Sequence, residues 1–182
     1  MAIGFWMNNK NCYGCKTCSI ACKSEKQLDK GVLLRHVTAI RQDDPRAFAY
    51  LSMACNHCEE PACMANCPVG AYSKLEDGTV IQDHSVCIGC KTCETACPYG
   101  APTFGEEEGY MLKCDMCKDE IAKGGKPICV TGCPMRALDF GTREEMIEKY
   151  GEGDVEVEPL PADTTGPNPV SYTHLRAHET RH

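Results

Sequence analysis

Sixteen cysteines in a chain of 182 residues constrain the fold more than any other feature. They fall into four groups of four, with none left over. Group one is Cys12, Cys15, Cys18 and Cys22, spaced C-x2-C-x2-C-x3-C. Group three, Cys87, Cys90, Cys93 and Cys97, repeats that spacing and is followed by Pro98. Group two is Cys55, Cys58, Cys63 and Cys67, with an x4 gap in its middle, and then Pro68. Group four is Cys114, Cys117, Cys129 and Cys133, with an x11 gap, and then Pro134.

The run C-x2-C-x2-C-x3-C-P is the bacterial ferredoxin signature for a [4Fe–4S] cluster. Three thiolates two residues apart on a tight loop can hold three corners of a cube. Backbone N–H groups between them are then available to the cluster sulfurs, and Gly14 and Gly89 stand where a side chain would hinder that approach. The fourth cysteine is expected to open or lie on a helix and to ligate the neighbouring cluster. Zinc is the competing use of C-x2-C pairs, but zinc ribbons take two well-separated pairs, not three cysteines within seven residues. Disulfides would need an oxidising compartment.

Composition supports an inorganic core. Apolar residues make up 42% of the chain, but about a third once the cysteines are set aside, with one Trp and four Phe. Something other than packed side chains must hold such a chain together. No run approaches the length of a membrane span. Met1 to Lys10 does not read as a secretory signal, and no Arg-Arg pair is present. In a reducing compartment such a cysteine framework is expected to bind metal. The formal charge is −7, all of it contributed by Glu144 to Asp163, which holds eight acidic residues and Lys149. A nucleic-acid binder shows a basic patch, and the pI of about 5.4 argues against one here. The acidic stretch itself reads as a solvated face or linker.

The groups organise the rest. Ile3 to Met7 reads as a strand entering the first loop, and Lys16 to Leu28 as a helix carrying Cys18 and Cys22. Leu33 to Arg41 and Phe48 to Met53 read as strands around a turn at Asp43-Asp44-Pro45. Ala71 to Lys74 and Thr79 to Gln82 read as a hairpin with a Gly78 turn. Lys118 to Ile128, with Gly124-Gly125, reads as a helix and turn, and Ala137 to Phe140 as a closing strand. Thr142-x-x-Glu145 is a capping box for a helix over Arg143 to Tyr150, stopped by Gly151. The stretch 170–182 changes composition abruptly and carries His174, His178 and His182; it reads as an artefactual end without function.

Together these features resemble the four-cluster iron–sulfur (B) subunits of molybdopterin oxidoreductases, of the anaerobic dimethyl sulfoxide reductase type above all. The resemblance rests on Cys55-Asn56-His57-Cys58-Glu59, Glu60-Pro61-Ala62-Cys63, Cys87-Ile88-Gly89-Cys90 and Ala96-Cys97-Pro98-Tyr99-Gly100-Ala101-Pro102. It also rests on Lys113-Cys114-Asp115-Met116-Cys117, Lys126-Pro127-Ile128-Cys129, and Cys133-Pro134 with Arg136-Ala137-Leu138-Asp139-Phe140-Gly141. It covers about residues 1–165 and implies an α+β fold of two ferredoxin-like domains of the bacterial 2[4Fe–4S] type. Groups one and four would form one domain (1–32 and 104–150), and groups two and three a domain inserted in it (33–103). An extended tail rich in acidic residues and Pro (151–169) would follow.

The resemblance also implies four [4Fe–4S] clusters in a crossing pattern. Cys12, Cys15 and Cys18 would pair with Cys133, and Cys114, Cys117 and Cys129 with Cys22. Cys55, Cys58 and Cys63 would pair with Cys97, and Cys87, Cys90 and Cys93 with Cys67. Related nitrate reductase subunits replace one group-three cysteine by Trp and hold a [3Fe–4S] cluster; here that group is intact. The implied role is a non-catalytic electron-transfer subunit between a quinol-oxidising integral membrane anchor and a molybdopterin catalytic subunit. Equivalent subunits serve formate, polysulfide, thiosulfate, tetrathionate or hydrogenase complexes. Such a subunit has no membrane span of its own and sits at the membrane through its partners, on the cytoplasmic face or, if co-exported, the periplasmic one. Lys16, Lys91, Lys113, Lys118 and Arg136 sit beside ligands, where they raise cluster potentials, face a partner or merely balance charge. His57, inside a complete group of cysteines, reads as a packing or hydrogen-bonding residue, and Tyr13 and Tyr99 as shields.

Overall fold

The computed structural model describes residues 2–41, 48–151, 161, 164–167 and 171–172. The chain opens with β1 (Ile3–Met7) and α1 (Thr17–Glu25), then folds the hairpin β2 (His36–Arg41) and β3 (Phe48–Met53). Next come α2 (Ala62–Ala65), the hairpin β4 (Tyr72–Lys74) and β5 (Val80–Gln82), and α3 (Thr92–Ala96). A third small hairpin, β6 (Thr103–Phe104) and β7 (Met111–Leu112), leads to α4 (Lys118–Ala122) and α5 (Ile128–Thr131). The described chain closes with β8 (Leu138–Thr142), α6 (Arg143–Tyr150) and β9 (Ser171–Tyr172). The result is a small mixed structure of short helices and short strands.

Short-range chemistry explains most of these elements. β1 and β8 pair antiparallel, Phe5 opposite Phe140, so the first strand is sealed by the last strand of the cysteine-bearing body. The capping box closes as expected: Thr142 Oγ1 accepts from the Glu145 N–H at 3.3 Å and Glu145 Oε2 accepts from the Thr142 N–H at 2.8 Å. α6 then ends at Gly151, whose φ of 82° no β-carbon would favour. Tyr150 stacks on Trp6 with ring centroids 3.6 Å apart, tying α6 to β1. β9 adds its backbone to the other edge of β1 in parallel, Ser171 opposite Trp6.

Some expectations shift. The helix of group one begins at Thr17 because Lys16 takes a left-handed conformation, φ 61°, and it stops at Glu25. The fourth cysteines of groups two, three and four do not open or lie on helices. Cys67, Cys97 and Cys133 each follow a short helix, and it is the third cysteine (Cys63, Cys93, Cys129) that the helix carries. The proline after each fourth cysteine explains the stop, since the residue before a proline avoids helical geometry. Only Cys22, with Lys23 behind it, stays inside a helix. The turn at Asp43-Asp44-Pro45 lies outside the described residues, as do 152–160, 162–163, 168–170 and 173–182 with their three histidines.

Packing divides along the same lines. α1 packs on α5 and α2 on α3, so helices of groups one and four meet and those of groups two and three meet. The apolar core is thin: Phe5, Met7, Ile40, Ala49, Leu51 and Leu138 share it with Cys18, Cys55, Cys114 and Cys129. Among the described residues no helix is long and apolar enough to cross a membrane.

Candidate metal centres

Two loops of nearly identical sequence build the same local geometry twice. In Cys12-Tyr-Gly-Cys-Lys-Thr-Cys18 and Cys87-Ile-Gly-Cys-Lys-Thr-Cys93, the glycines Gly14 and Gly89 have φ 77° and 65°, and Lys16 and Lys91 both have φ 61°. Thr17 Oγ1 donates to Cys15 Sγ, and Thr92 Oγ1 lies the same 3.3 Å from Cys90 Sγ. Those hydroxyls come first among the causes that lower the pKa of both thiols, which stand exposed at the loop tips. The protein itself also demands the two glycines. A β-carbon at Gly14 would lie 2.4 Å from the Tyr50 ring, and one at Gly89 2.6 Å from the Gly109 carbonyl oxygen.

A second device recurs after the fourth cysteines. In Cys67-Pro-Val-Gly-Ala71, Cys97-Pro-Tyr-Gly-Ala101 and Cys133-Pro-Met-Arg-Ala137 the alanine N–H points back at the cysteine sulfur, at 3.3, 3.5 and 3.3 Å. The residue before the alanine is left-handed each time, at φ 64° for Gly70, 58° for Gly100 and 49° for Arg136. The side chain of Arg136, a candidate for tuning or docking, therefore stands where the other two turns have none.

The thiols gather across groups. Cys12, Cys15, Cys18 and Cys133 line one cavity, with Tyr13, Ser52 and Met135. Cys55, Cys58, Cys63 and Cys97 line another, with His57, Lys113 and Thr165. Burial and then the Cys129 thiol push Cys22 up to about 12, with Cys117 adding to the rise. Cys129 is likewise an electrostatic neighbour of Cys114 and of Cys117. Cys67, Cys87 and Cys93 pack in one apolar cluster beside Cys63, and Cys90 stands exposed at the tip of their loop. All sixteen thiols are free. Among the described residues no three His, Cys, Asp or Glu side chains close on a single metal ion.

The donors fit an iron–sulfur cluster. A [4Fe–4S] cube takes thiolates at its corners and N–H or O–H donors on its sulfurs, and the cavities supply both. His57 is fully buried, and its Nδ1 accepts the Val80 N–H at 3.0 Å. Burial first, and the nearby Lys113 ammonium second, hold its pKa well below the ordinary imidazole value, so the ring is neutral. A neutral ring that accepts at Nδ1 carries its proton on Nε2. That Nε2 is buried without a partner, on a residue lining the second cavity. An orphaned donor costs about 1–3 kcal/mol, and a cluster sulfur would accept its proton.

Several contributors carry no sequence signal. Thr165 donates to Cys58 Sγ at 3.2 Å from 107 residues away, and the carbonyls of Thr165 and Gly166 accept from Glu60 and Glu59 N–H. Ser52 Oγ lies 3.3 Å from Cys18 Sγ. Arg35, 1% exposed, has the thiols of Cys129, Cys114, Cys18 and Cys22 as its electrostatic neighbours. None of the three sits near, in the chain, the cysteine sulfurs it serves, so no spacing could have found them. Of the cations singled out in the sequence, Lys113 is buried beside Cys55 Sγ at 3.5 Å. Lys91 instead lies over the Phe104 ring at 4.1 Å and near Glu106 at 3.9 Å.

Comparison with known proteins agrees with this chemistry. The family described as a 4Fe–4S dicluster domain matches residues 46–143. The B subunit of the anaerobic dimethyl sulfoxide reductase of Escherichia coli is 49% identical, over 97% of this chain and 91% of that one. Its counterpart in Haemophilus influenzae is 44% identical, over 94% and 91%. The thiosulfate reductase electron transfer subunit of Salmonella typhi is 35% identical, over 82% and 81%.

Proposed function

The chain belongs to the 4Fe–4S dicluster family of reductase iron–sulfur subunits, with a ferredoxin-like fold, and from that premise we propose that it relays electrons through four [4Fe–4S] clusters within a membrane-bound reductase complex. Its partners are a quinol-oxidising membrane subunit and a molybdopterin catalytic subunit, of the dimethyl sulfoxide reductase type. Each bound cluster supplies one-electron storage at a potential set by its surroundings.

The residues that hold the four groups are those of the crossing pattern: Cys12, Cys15, Cys18 with Cys133; Cys114, Cys117, Cys129 with Cys22; Cys55, Cys58, Cys63 with Cys97; and Cys87, Cys90, Cys93 with Cys67. Groups one and four form one ferredoxin-like unit, into which groups two and three (33–103) are inserted. The mutual packing of α1 with α5 and of α2 with α3 supports that division.

The observation that carries the reading is a linear order of neighbouring thiols. Cys18 and Cys22 stand one turn apart on α1, and both are electrostatic neighbours of Arg35. Cys114 neighbours Cys55, and Cys63 neighbours Cys93 across Tyr72. These neighbours support a row of four sites over a square. The ends of that row are also its exposed members, Cys15 and Cys90. Each end presents an apolar pair at equivalent positions of the two motifs, Tyr13 with Met135 and Ile88 with Val69, all at least 40% exposed. Two exposed ends suit one donor and one acceptor.

Metal analysis of the anaerobically purified chain tests the cofactors. About 16 iron and 16 sulfide per chain are expected from four clusters of four, with brown colour and EPR signals on reduction; a colourless zinc protein would sink the reading. Cys90→Ser should stall quinol-linked turnover while an artificial donor to the catalytic subunit still drives reduction. Full quinol-linked turnover in that variant would refute the relay. The similarity to a thiosulfate reductase subunit favours an equivalent role in a related complex as the second reading, and the catalytic subunit that co-purifies distinguishes the two.

A further inference from the structure

Among the described residues, two cations are buried without a carboxylate. Arg35, immediately before β2, is 1% exposed. Its Nη1 donates to Ser52 O at 3.0 Å and to Ser52 Oγ at 3.2 Å, and its plane lies 4.3 Å over the Phe5 ring. Its Nε and Nη2 have no hydrogen-bond partner. Lys113, immediately after β7, is 7% exposed, and its Nζ donates to the Val80 and Cys114 carbonyls and to Cys55 Sγ. Among the described residues no Asp or Glu forms an ion pair with either.

An uncompensated buried charge is among the most costly features a fold can carry. The groups facing these two are cysteine sulfurs. Arg35 has Cys129, Cys114 and Cys22 of the second site and Cys18 of the first as its electrostatic neighbours, and the adjacent Leu34 packs in one cluster with Cys22. It also reaches the first site through Ser52: because Nη1 donates to Ser52 Oγ, the hydroxyl proton is free to point at Cys18 Sγ, 3.3 Å away. Lys113 meets Cys114 of the second site and Cys55 and Cys63 of the third. The third junction differs. Between Cys63 of the third site and Cys87 and Cys93 of the fourth stands Tyr72, an uncharged phenol that shares one apolar cluster with them. The row thus has a cation at each of its first two junctions and none at its third.

We propose that Arg35 and Lys113 are shared counterions, each lying between two adjacent cluster sites and raising the reduction potential of both, so that the second site feels two cations and the fourth neither. This rests on the four-cluster reading above. The physical basis is that a fixed positive charge in a low-dielectric interior stabilises the added electron of whichever cluster it borders. Reduction adds one electron to a cluster and moves no proton, so a fixed charge suffices.

The test is an EPR-monitored redox titration of the full chain with its clusters, comparing Arg35→Met, Arg35→Lys, Lys113→Met and Lys113→Arg. Arg35→Met should lower two of the four midpoint potentials and Lys113→Met two, with one potential common to both pairs and one moved by neither. The expected shift is about tenfold in the one-electron equilibrium of each affected cluster, or about 59 mV. The charge-retaining variants should stay near wild type. Unmoved potentials at full iron content, or all four moving together, would overturn the proposal. If the methionine variants lose iron, it stands only if the Lys and Arg replacements keep both iron and potentials; loss in those as well refutes it. Absence of [4Fe–4S] clusters from the wild-type chain would instead strike the function reading, so the two failures are distinguishable.

Discussion

Group one and group three begin alike and end differently. Both loops read Cys-x-Gly-Cys-Lys-Thr-Cys, with the same left-handed Gly and Lys and the same threonine hydroxyl on the middle sulfur. After the third cysteine they part. Group one runs on as nine-residue α1 with Cys22 buried inside it, whereas group three makes five-residue α3, stops at Cys97 and turns at Pro98. The motif therefore dictates the loop, and the residue behind the fourth cysteine dictates how that cysteine is delivered. A helix carries Cys22 into the interior beside Cys129; a proline turn swings Cys97 onto the cavity of Cys55, Cys58 and Cys63.

The widest test of this difference replaces the fourth cysteines. Cys22→Ser and Cys97→Ser should each disturb one cluster, at most about 4 of about 16 iron per chain, read by iron analysis and EPR. Cys22→Ser should perturb the cluster of Cys114, Cys117 and Cys129, and Cys97→Ser that of Cys55, Cys58 and Cys63. Identical EPR losses in the two variants would erase the distinction.

The glycines come next. Gly14→Ala and Gly89→Ala both force a β-carbon into a left-handed position, which costs about 1–2 kcal/mol. At Gly14 the obstacle is the Tyr50 ring, a side chain able to move, and at Gly89 the Gly109 backbone. Gly89→Ala should destabilise more, by about 3 kcal/mol against about 2, measured by anaerobic chemical unfolding. The reverse order would show that the two loops are not constrained as described.

Acid separates the halves more gently. Asp139, on β8 behind group four, is buried and accepts from Lys149 at 2.6 Å and Tyr150 at 2.7 Å. Burial alone would raise its pKa, but those donors more than offset it and bring it down to about 2 from 3.8. A depressed carboxylate pKa stabilises the fold fully above the unfolded value. That contribution, about 2 kcal/mol, should be flat from pH 8 to 5, fade below about pH 4 and vanish near pH 2. Asp139→Asn should remove it at neutral pH, as urea titration would show; an unchanged midpoint would dismiss the pair as surface decoration.

The smallest effect concerns Arg136. Its φ of 49° matches Gly70 and Gly100 in the two sister turns. Arg136→Gly should therefore relieve strain and stabilise slightly, by about 0.5 kcal/mol after the entropy of glycine is counted. A marked loss instead would mean that the arginine side chain makes contacts worth more than its strain.

Much of this was legible along the chain. β1 and the α6 capping box match their expected spans because each depends on a short apolar run or on residues within a turn. The β4–β5 hairpin is confirmed one residue shorter at each strand's start. The helices expected at the fourth cysteines of groups two, three and four carry the third cysteines instead, because proline keeps the residue before it, Cys97 for example, out of helical geometry. The hairpin β6–β7 escaped notice, since two-residue strands carry no periodicity. Thr165, Ser52 and Arg35 could not be found, because nothing local links them to the cysteines they serve.

Sequence alone determined the number of thiols, their grouping in fours and the loop geometry, which follow from the count, from C-x2-C and C-x3-C spacings along the chain and from the steric needs of Gly and Pro. Tertiary structure decided which thiols face one another, which end in solvent, and where the buried charges lie. Those depend on how helices and hairpins pack, and a charge such as Arg35 is tolerated in the interior only where packing brings several sulfurs around it.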